Sequence, residues 1–372
     1  MSSAIRSVEV VIADVPTIRP HILAMTTMMA QTVVLVFIIR EDGITGVGEA
    51  TTIGGLAYGE ESPESIRTNV ETYFAPVLIG IDGDSPAAAM ALLNKHIVGN
   101  RFAKCAIETA LMDAQGQAAG KTVAELLGGA KSSELPVAWT LASGNTDQDI
   151  EEGERVIAQR LHRDFKLKIG KRDVAADCDH VAAIARAFEG RASVRVDVNQ
   201  AWDRGQAAEG AARLQDAGCV LIEQPLVGHD LAGMNALCQE YDIAIMADEG
   251  LTGPISAHRH VEAKAADVFA LKIAQSGGLT PAKEVEHIAR DADLAMYGGT
   301  MLEGAIGSIA SAHLFSTFGP MEWGTELFGP LLMTEEILEE PLVYENFCLK
   351  LPTGPGLGVK VDRKKIARFA RQ

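Results

Sequence analysis

The chain has 372 residues, 47% hydrophobic and 22% charged, the make-up of a globular protein with an ample core. Its 33 basic and 50 acidic residues leave a net charge of −17, which argues against nucleic acid or an anionic membrane surface as a partner. The longest apolar run, residues 33–39, is far too short to span a bilayer, no basic-then-apolar leader is visible, and the five cysteines form no CxxC pair. Together these predict a cytoplasmic protein with reduced thiols.

Residues 5–14 and 32–40 read as strands, and Asp42-Gly43 reads as the hairpin turn before ITGVGEA. Ser62-Pro63 and Ser85-Pro86 each predict an N-cap serine with proline at the first helical position. A third helix, over roughly 100–118, puts Phe102, Ala106, Ile107, Ala110 and Leu111 on one stripe. Strands followed by helices, without alternation, predict an α+β domain over residues 1–128. After Pro136 strand and helix patterns alternate. Strands are expected near 137–141, 165–169, 194–198, 219–223, 244–248, 268–273, 294–298 and 321–326. Eight strands at near-constant spacing predict a closed barrel over 129–339. The polar, Gly/Pro-punctuated tail from about 340 to 372 is expected to return to the first domain.

The barrel region carries charges in a repeating place. FKLKIG, VRVDVNQAW, VLIEQP, IMADEG and FALKIAQSGG are apolar runs in which a charge arrives at the strand end. Asp197, Glu223, Asp248 and Lys272 follow one another at 26, 25 and 24 residues, the length of one βα unit. In a parallel barrel the C-terminal strand ends are where active sites are built. Three carboxylates held together cannot all stay ionised without a cation, and an all-oxygen ligand set suits Mg²⁺ or Mn²⁺. Any one of the acids alone reads equally well as a solvated helix cap. Three in register on successive strands make that reading the weaker one.

Lys166 and Lys168 stand at i and i+2, so both leave one face of a strand. Two ammonium groups side by side, near a cation, should depress each other's pKa and fit one of them for proton transfer. KxK alone is more often a pair of surface lysines. Lys272 is expected across the barrel from this pair. A metal between lysines is the equipment for moving a proton α to a carboxylate. Glu326 closes the last expected strand as an orienter of Lys272, a substrate contact or a solvated acid. Asn199 is a pocket polar group or an Asx turn. His229, His258 and His313 show no ligand spacing, and Gly277-Gly278 and Gly298-Gly299 serve turns more often than phosphates.

KLK at 166–168, DVNQAW at 197–202, IEQP at 222–225, ADEG at 247–250 and LKIAQSGG at 271–278 together resemble the enolase superfamily, in its muconate-lactonizing subgroup. The resemblance extends to residues 51–66, 298–315 and 325–330. It implies a modified TIM barrel, (β/α)7β, under an N-terminal α+β capping domain. It implies Asp197, Glu223 and Asp248 as ligands of Mn²⁺ or Mg²⁺, Lys168 as proton carrier and Lys166 as its neighbour on a substrate carboxylate. Lys272 would face the other side of the substrate, with Glu326 near it. Ile53, Tyr58 and the loop near 19–30 would close over the substrate, and Phe328 would line the barrel side. The implied reaction is the reversible cycloisomerisation of cis,cis-muconate, a small dicarboxylate, to muconolactone in catechol breakdown. The implied assembly is a homo-oligomer, an octamer. Sister activities with the same barrel chemistry are chloromuconate cycloisomerisation, dipeptide epimerisation, N-acylamino acid racemisation and o-succinylbenzoate synthesis. A catalytically silent binding protein is the reading from another class.

Overall fold

The protein was analysed as a computed structural model that describes residues 2–371. The N-terminal part is an antiparallel sheet of β1 (Ile5–Ile22), β2 (Thr27–Arg40) and β3 (Thr45–Thr52), in that order. Val33–Ile38 are almost wholly buried, because β2 is the central strand of the three. The β2–β3 turn is the expected one: Gly43 has φ 92° and the Asp42 carboxylate accepts from the Ile44 amide at 3.1 Å. Strand β1 runs eight residues past its expected end, through Pro16 and Pro20. It can do so because it is an edge strand, where a missing N–H breaks no ladder. The extension carries the β1–β2 hairpin out over the second part of the molecule.

Helix Arg101–Ala119 lies against β3 at close range. A Cβ on Gly46 would sit 2.0 Å from the Ala110 carbonyl oxygen, and one on Gly48 would sit 1.8 Å from that of Ala106. The two glycines of GVG therefore set the helix–sheet distance. Ser62 caps helix Pro63–Asn69 in a full capping box with Ser65. Ser85 precedes helix Pro86–His96, but its hydroxyl makes no cap hydrogen bond, contrary to the sequence reading.

The short strand β4 (Glu134–Pro136) leads into seven parallel strands: β5 (Trp139–Leu141), β6 (Asp164–Lys168), β7 (Ser193–Asp197), β8 (Leu221–Glu223), β9 (Ala244–Ala247), β10 (Val268–Leu271) and β11 (Ala295–Gly298). They pair in chain order, each with a helix before the next, as right-handed βα units do. The eighth expected strand, 321–326, does not form. Met321–Gly324 is a turn, and only Thr325 bridges in parallel, to Gly298 on one side and Val137 on the other. That residue closes the ring, so the architecture is a curled seven-stranded parallel sheet completed by one bridging residue. The tail adds β12 (Tyr344–Glu345) and β13 (Cys348–Lys350) beside β4. It ends in helix Arg363–Phe369, after which Arg371 grips Asp14 of β1. All five cysteines are free, and among the described residues no helix is long and apolar enough to cross a membrane.

Candidate active site

Parallel register sets the heights of the site residues. Lys168 is the Cα partner of Asp197, and Asp197 is the partner of Glu223. Glu223 in turn pairs with Met246, two residues before Asp248. One oxygen from each of Asp197, Glu223 and Asp248 falls within 4.8 Å of the others, and all three residues are buried. Strands β6 and β10 stand four places apart in a ring of eight, so Lys168 and Lys272 flank this triad from opposite sides.

The sequence-derived site residues converge, with one change of partner. Lys168 Nζ donates to Asp197 Oδ2 at 2.5 Å and approaches Asn199 Oδ1 at 3.4 Å. Lys166 Nζ donates to Glu223 Oε2 at 2.8 Å and also contacts Glu326. Glu326, expected beside Lys272, therefore pairs with Lys166 instead. The side chain of Lys166, two residues before the end of β6, turns toward the ring-closing segment, where Thr325 places Glu326. Lys272 Nζ donates to Asp248 Oδ2 at 2.6 Å and to the Tyr58 hydroxyl at 2.8 Å. That hydroxyl also takes Gln275 Nε2 at 3.2 Å and donates to Asp248 Oδ2 at 2.8 Å. Asn199 fixes Asp197 through its own amide (2.8 Å) and its Nδ2 (3.1 Å), and ties Glu249 to the group at 3.0 Å.

The charges bias one another. Burial opposes a charge on Lys166, but Glu223 and Glu326 outweigh it and hold the ammonium well above the usual lysine pKa. Burial also opposes ionisation of Asp197, yet Lys168 and Lys166 bring its pKa below the carboxylate norm. Glu223 is pushed well above the norm by burial and by Asp197. Burial and Asp248 keep the Tyr58 phenol protonated. Burial, Asp248 and Asp197 lift Glu249 to about 8.

Glu223 Oε1 and Asp248 Oδ1 are buried with no hydrogen-bond partner. Buried acceptors are normally satisfied, and orphaned oxygens in an all-carboxylate cluster fit a divalent cation. The acidic triad can therefore bind a divalent metal ion.

The cap closes the site. Ile53 is buried at the end of β3, just before Gly54 and Gly55, both in the left-handed region at φ 61° and 69°. Phe328 is buried with its ring centroid 5.1 Å from Trp139 and 6.5 Å from His21. Several residues that seat the cap were not singled out in the sequence. Glu49 of β3 accepts from the amides of Gly304 (2.5 Å) and Gly307 (2.9 Å), at the start of helix Ala305–Phe315. Gln31 of β2 donates to the carbonyls of Met301 (3.0 Å) and Leu302 (2.9 Å). Arg19 reaches Thr140 O at 2.9 Å and Glu152 at 3.0 Å. The only sequence hint at Glu49 was a glutamate closing an apolar strand. The other expectations were quieter in outcome: His313 donates Nε2–H to the Leu357 carbonyl at 3.0 Å, and Gly278 is needed because a Cβ would strike the Glu108 carboxylate.

Residues 7–128 match the N-terminal domain of mandelate racemase / muconate lactonizing enzyme, and residues 148–365 match the enolase C-terminal domain-like family. The chain belongs to the mandelate racemase / muconate lactonizing enzyme family. Within this branch of the enolase superfamily, it is 59% identical over 367 residues to muconate cycloisomerase 1-2 of Acinetobacter lwoffii, covering 99% of this chain and 95% of that one. It is 38% identical over 367 residues to a chloromuconate cycloisomerase of Delftia acidovorans, covering 99% of each. A solved muconate lactonizing enzyme from Pseudomonas fluorescens, complexed with muconolactone, superimposes with a TM-score of 0.99 at 52% identity over 100% of both chains. The strand-end lysines and acids thus sit in an architecture shared with a muconate lactonizing enzyme.

Proposed function

We propose that this protein is a muconate cycloisomerase, interconverting cis,cis-muconate and muconolactone, with Asp197, Glu223 and Asp248 holding Mn²⁺ or Mg²⁺. The observation that carries the reading is the placement of Lys168 and Lys272 on opposite flanks of a buried carboxylate triad, in a chain like muconate cycloisomerases along its whole length. When bound, the cation supplies positive charge facing the substrate carboxylate where negative charge builds up.

The residues divide the remaining work. In lactonisation one carboxylate adds to the far double bond, and the electrons released must be met by a proton on carbon. Lys168 is suited to deliver it. Its side chain is 11% exposed, against 2% for Lys166 and 4% for Lys272, so it can recover a proton from solvent. Lys166 is locked between Glu223 and Glu326 and keeps its proton. It serves as fixed positive charge beside a substrate carboxylate. Lys272 and the Tyr58 hydroxyl face the substrate from the other side. Ile53, Phe328 and the β1–β2 hairpin exclude water, which strengthens every charge interaction within.

Greater identity to muconate than to chloromuconate cycloisomerases favours the unsubstituted substrate (59% against 38%). The test is proton exchange at carbon in D₂O. Muconolactone should take up deuterium α to its free carboxylate, and muconate should appear with it. Lactone that stays unlabelled with enzyme and Mn²⁺ would overturn the reading. We also infer a homo-oligomer, on the resemblance of the chain to octameric lactonizing enzymes.

A further inference from the structure

His21 lies in the extension of β1 that reaches over the barrel, fully buried at the seam between the two parts. Its two ring nitrogens are treated differently. Arg19 Nη1 approaches Nδ1 at 3.5 Å, and a guanidinium only donates, so Nδ1 is the acceptor. The ring proton of the neutral imidazole then resides on Nε2. Burial, helped by the charges of Arg19, Lys168 and Lys166, keeps the imidazole neutral, which also places it within reach of the field of the two site lysines. Nε2 has no hydrogen-bond partner although it is buried. A buried N–H without an acceptor is costly, so this donor is expected to have a use.

No acceptor of the chain reaches Nε2. The oxygens that the triad leaves unpartnered, Glu223 Oε1 and Asp248 Oδ1, are the ones that would face the cation. A six-carbon dicarboxylate brings a second carboxylate that must lie away from the triad, beneath the cap. We infer that His21 is a substrate-binding residue whose Nε2–H donates to the substrate carboxylate remote from the Asp197–Glu223–Asp248 triad, the one that adds to the double bond. The neighbours fit this task. Arg19 is itself tied to Glu152 and to the Thr140 carbonyl, so it fixes the tautomer without competing for the ligand. Phe328 walls the ring on the barrel side. This assignment rests on the proposed reaction.

The experiment exploits isosteres. Asn at position 21 keeps a polar group near the Nδ1 position but withdraws the Nε2 donor, whereas Gln keeps a donor near Nε2. Steady-state kinetics with cis,cis-muconate are measured for the wild type, His21→Asn and His21→Gln, together with inhibition constants for adipate and for hexanoate, which lacks the second carboxylate. Loss of one hydrogen bond to a charged group predicts KM raised roughly 10–100-fold in His21→Asn, with His21→Gln within about 5-fold of wild type. Adipate inhibition should weaken in parallel in His21→Asn while hexanoate inhibition stays level. Asn and Gln variants that both match the wild type overturn the assignment. So do variants that lose adipate and hexanoate equally, since that marks a packing role. If the wild type itself leaves muconate untouched, the proposed reaction falls and this assignment with it; an unaffected His21→Asn enzyme removes the assignment alone.

Discussion

Lys168 Nζ lies 2.5 Å from Oδ2 of Asp197, its in-register partner on the next strand. This single contact joins the proposed proton carrier to the candidate metal centre. Both residues are the last of their strands, so neither can be moved without moving the barrel. Lys168→Ala should therefore leave the fold and metal binding intact while removing the general acid. A loss of roughly 10²–10⁴-fold in kcat is expected. Near-wild-type turnover would transfer the role to Lys272.

Glu223 contributes the central carboxylate of the triad and one orphaned oxygen. Glu223→Gln should weaken Mn²⁺ or Mg²⁺ binding and abolish activity, because it removes a full charge from a hard-ion site. Calorimetric titration reads this directly. An unchanged affinity would refute the three-ligand site.

Much of this was legible in the sequence for a physical reason. A charge at the end of an apolar parallel strand can only emerge at one end of the barrel, and pairing in register then brings successive charges to one height. The expected triad and lysines follow from that alone. Glu326 was harder. Its spacing placed it at the ring closure, but not which lysine it would meet, since that depends on how residues 321–326 turn. The alternation in that stretch imitated a strand, whereas Gly324, at φ 67°, makes a turn and leaves Thr325 to bridge alone. The reach of β1 was masked by Pro16 and Pro20, which normally signal a break. Arg19, His21, Gln31 and Glu49 gave little sign of themselves, because their partners lie more than a hundred residues away or are absent from the chain's own hydrogen bonds.

In the proposed reaction Ile53 and Tyr58 would meet the substrate from the cap, and the barrel charges would carry the chemistry. Changing Ile53 to Val should shift relative kcat/KM between muconate and substituted muconates by roughly 1–3 kcal/mol per altered apolar contact. Exchange of the α-proton of muconolactone in D₂O should survive. Equal treatment of all muconates together with lost exchange at saturating lactone would make the lid part of the catalytic machinery.

Glu49 holds two buried amides of a helix that belongs to the barrel. Glu49→Ala orphans both, at roughly 1–3 kcal/mol each, and should lower the melting temperature by several degrees. A melting temperature within about 1 °C of wild type would show that the seam does not depend on this contact.

His162 is buried, stacked on Trp139, and donates Nδ1–H to the Val137 carbonyl at 2.8 Å. Burial takes its pKa from 6.5 down to about 4. Only the unfolded chain takes up this proton between those values. The contribution is thus complete above pH 6.5 and is lost as pH falls toward 4, a loss on the order of 3 kcal/mol. Urea unfolding of wild type and His162→Gln across this window should show a shallower fall in the variant. Parallel curves would contradict the assignment.

The most direct measurement of the central claim is ultraviolet absorbance of cis,cis-muconate incubated with the purified enzyme, with Mn²⁺ present and after chelation. Steady loss of the diene absorbance is expected with the metal, and activity should return when Mn²⁺ is restored to the chelated enzyme. Absorbance that stays constant with Mn²⁺, or that falls equally fast with and without it, would contradict a metal-assisted cycloisomerase built on Asp197, Glu223, Asp248 and Lys168.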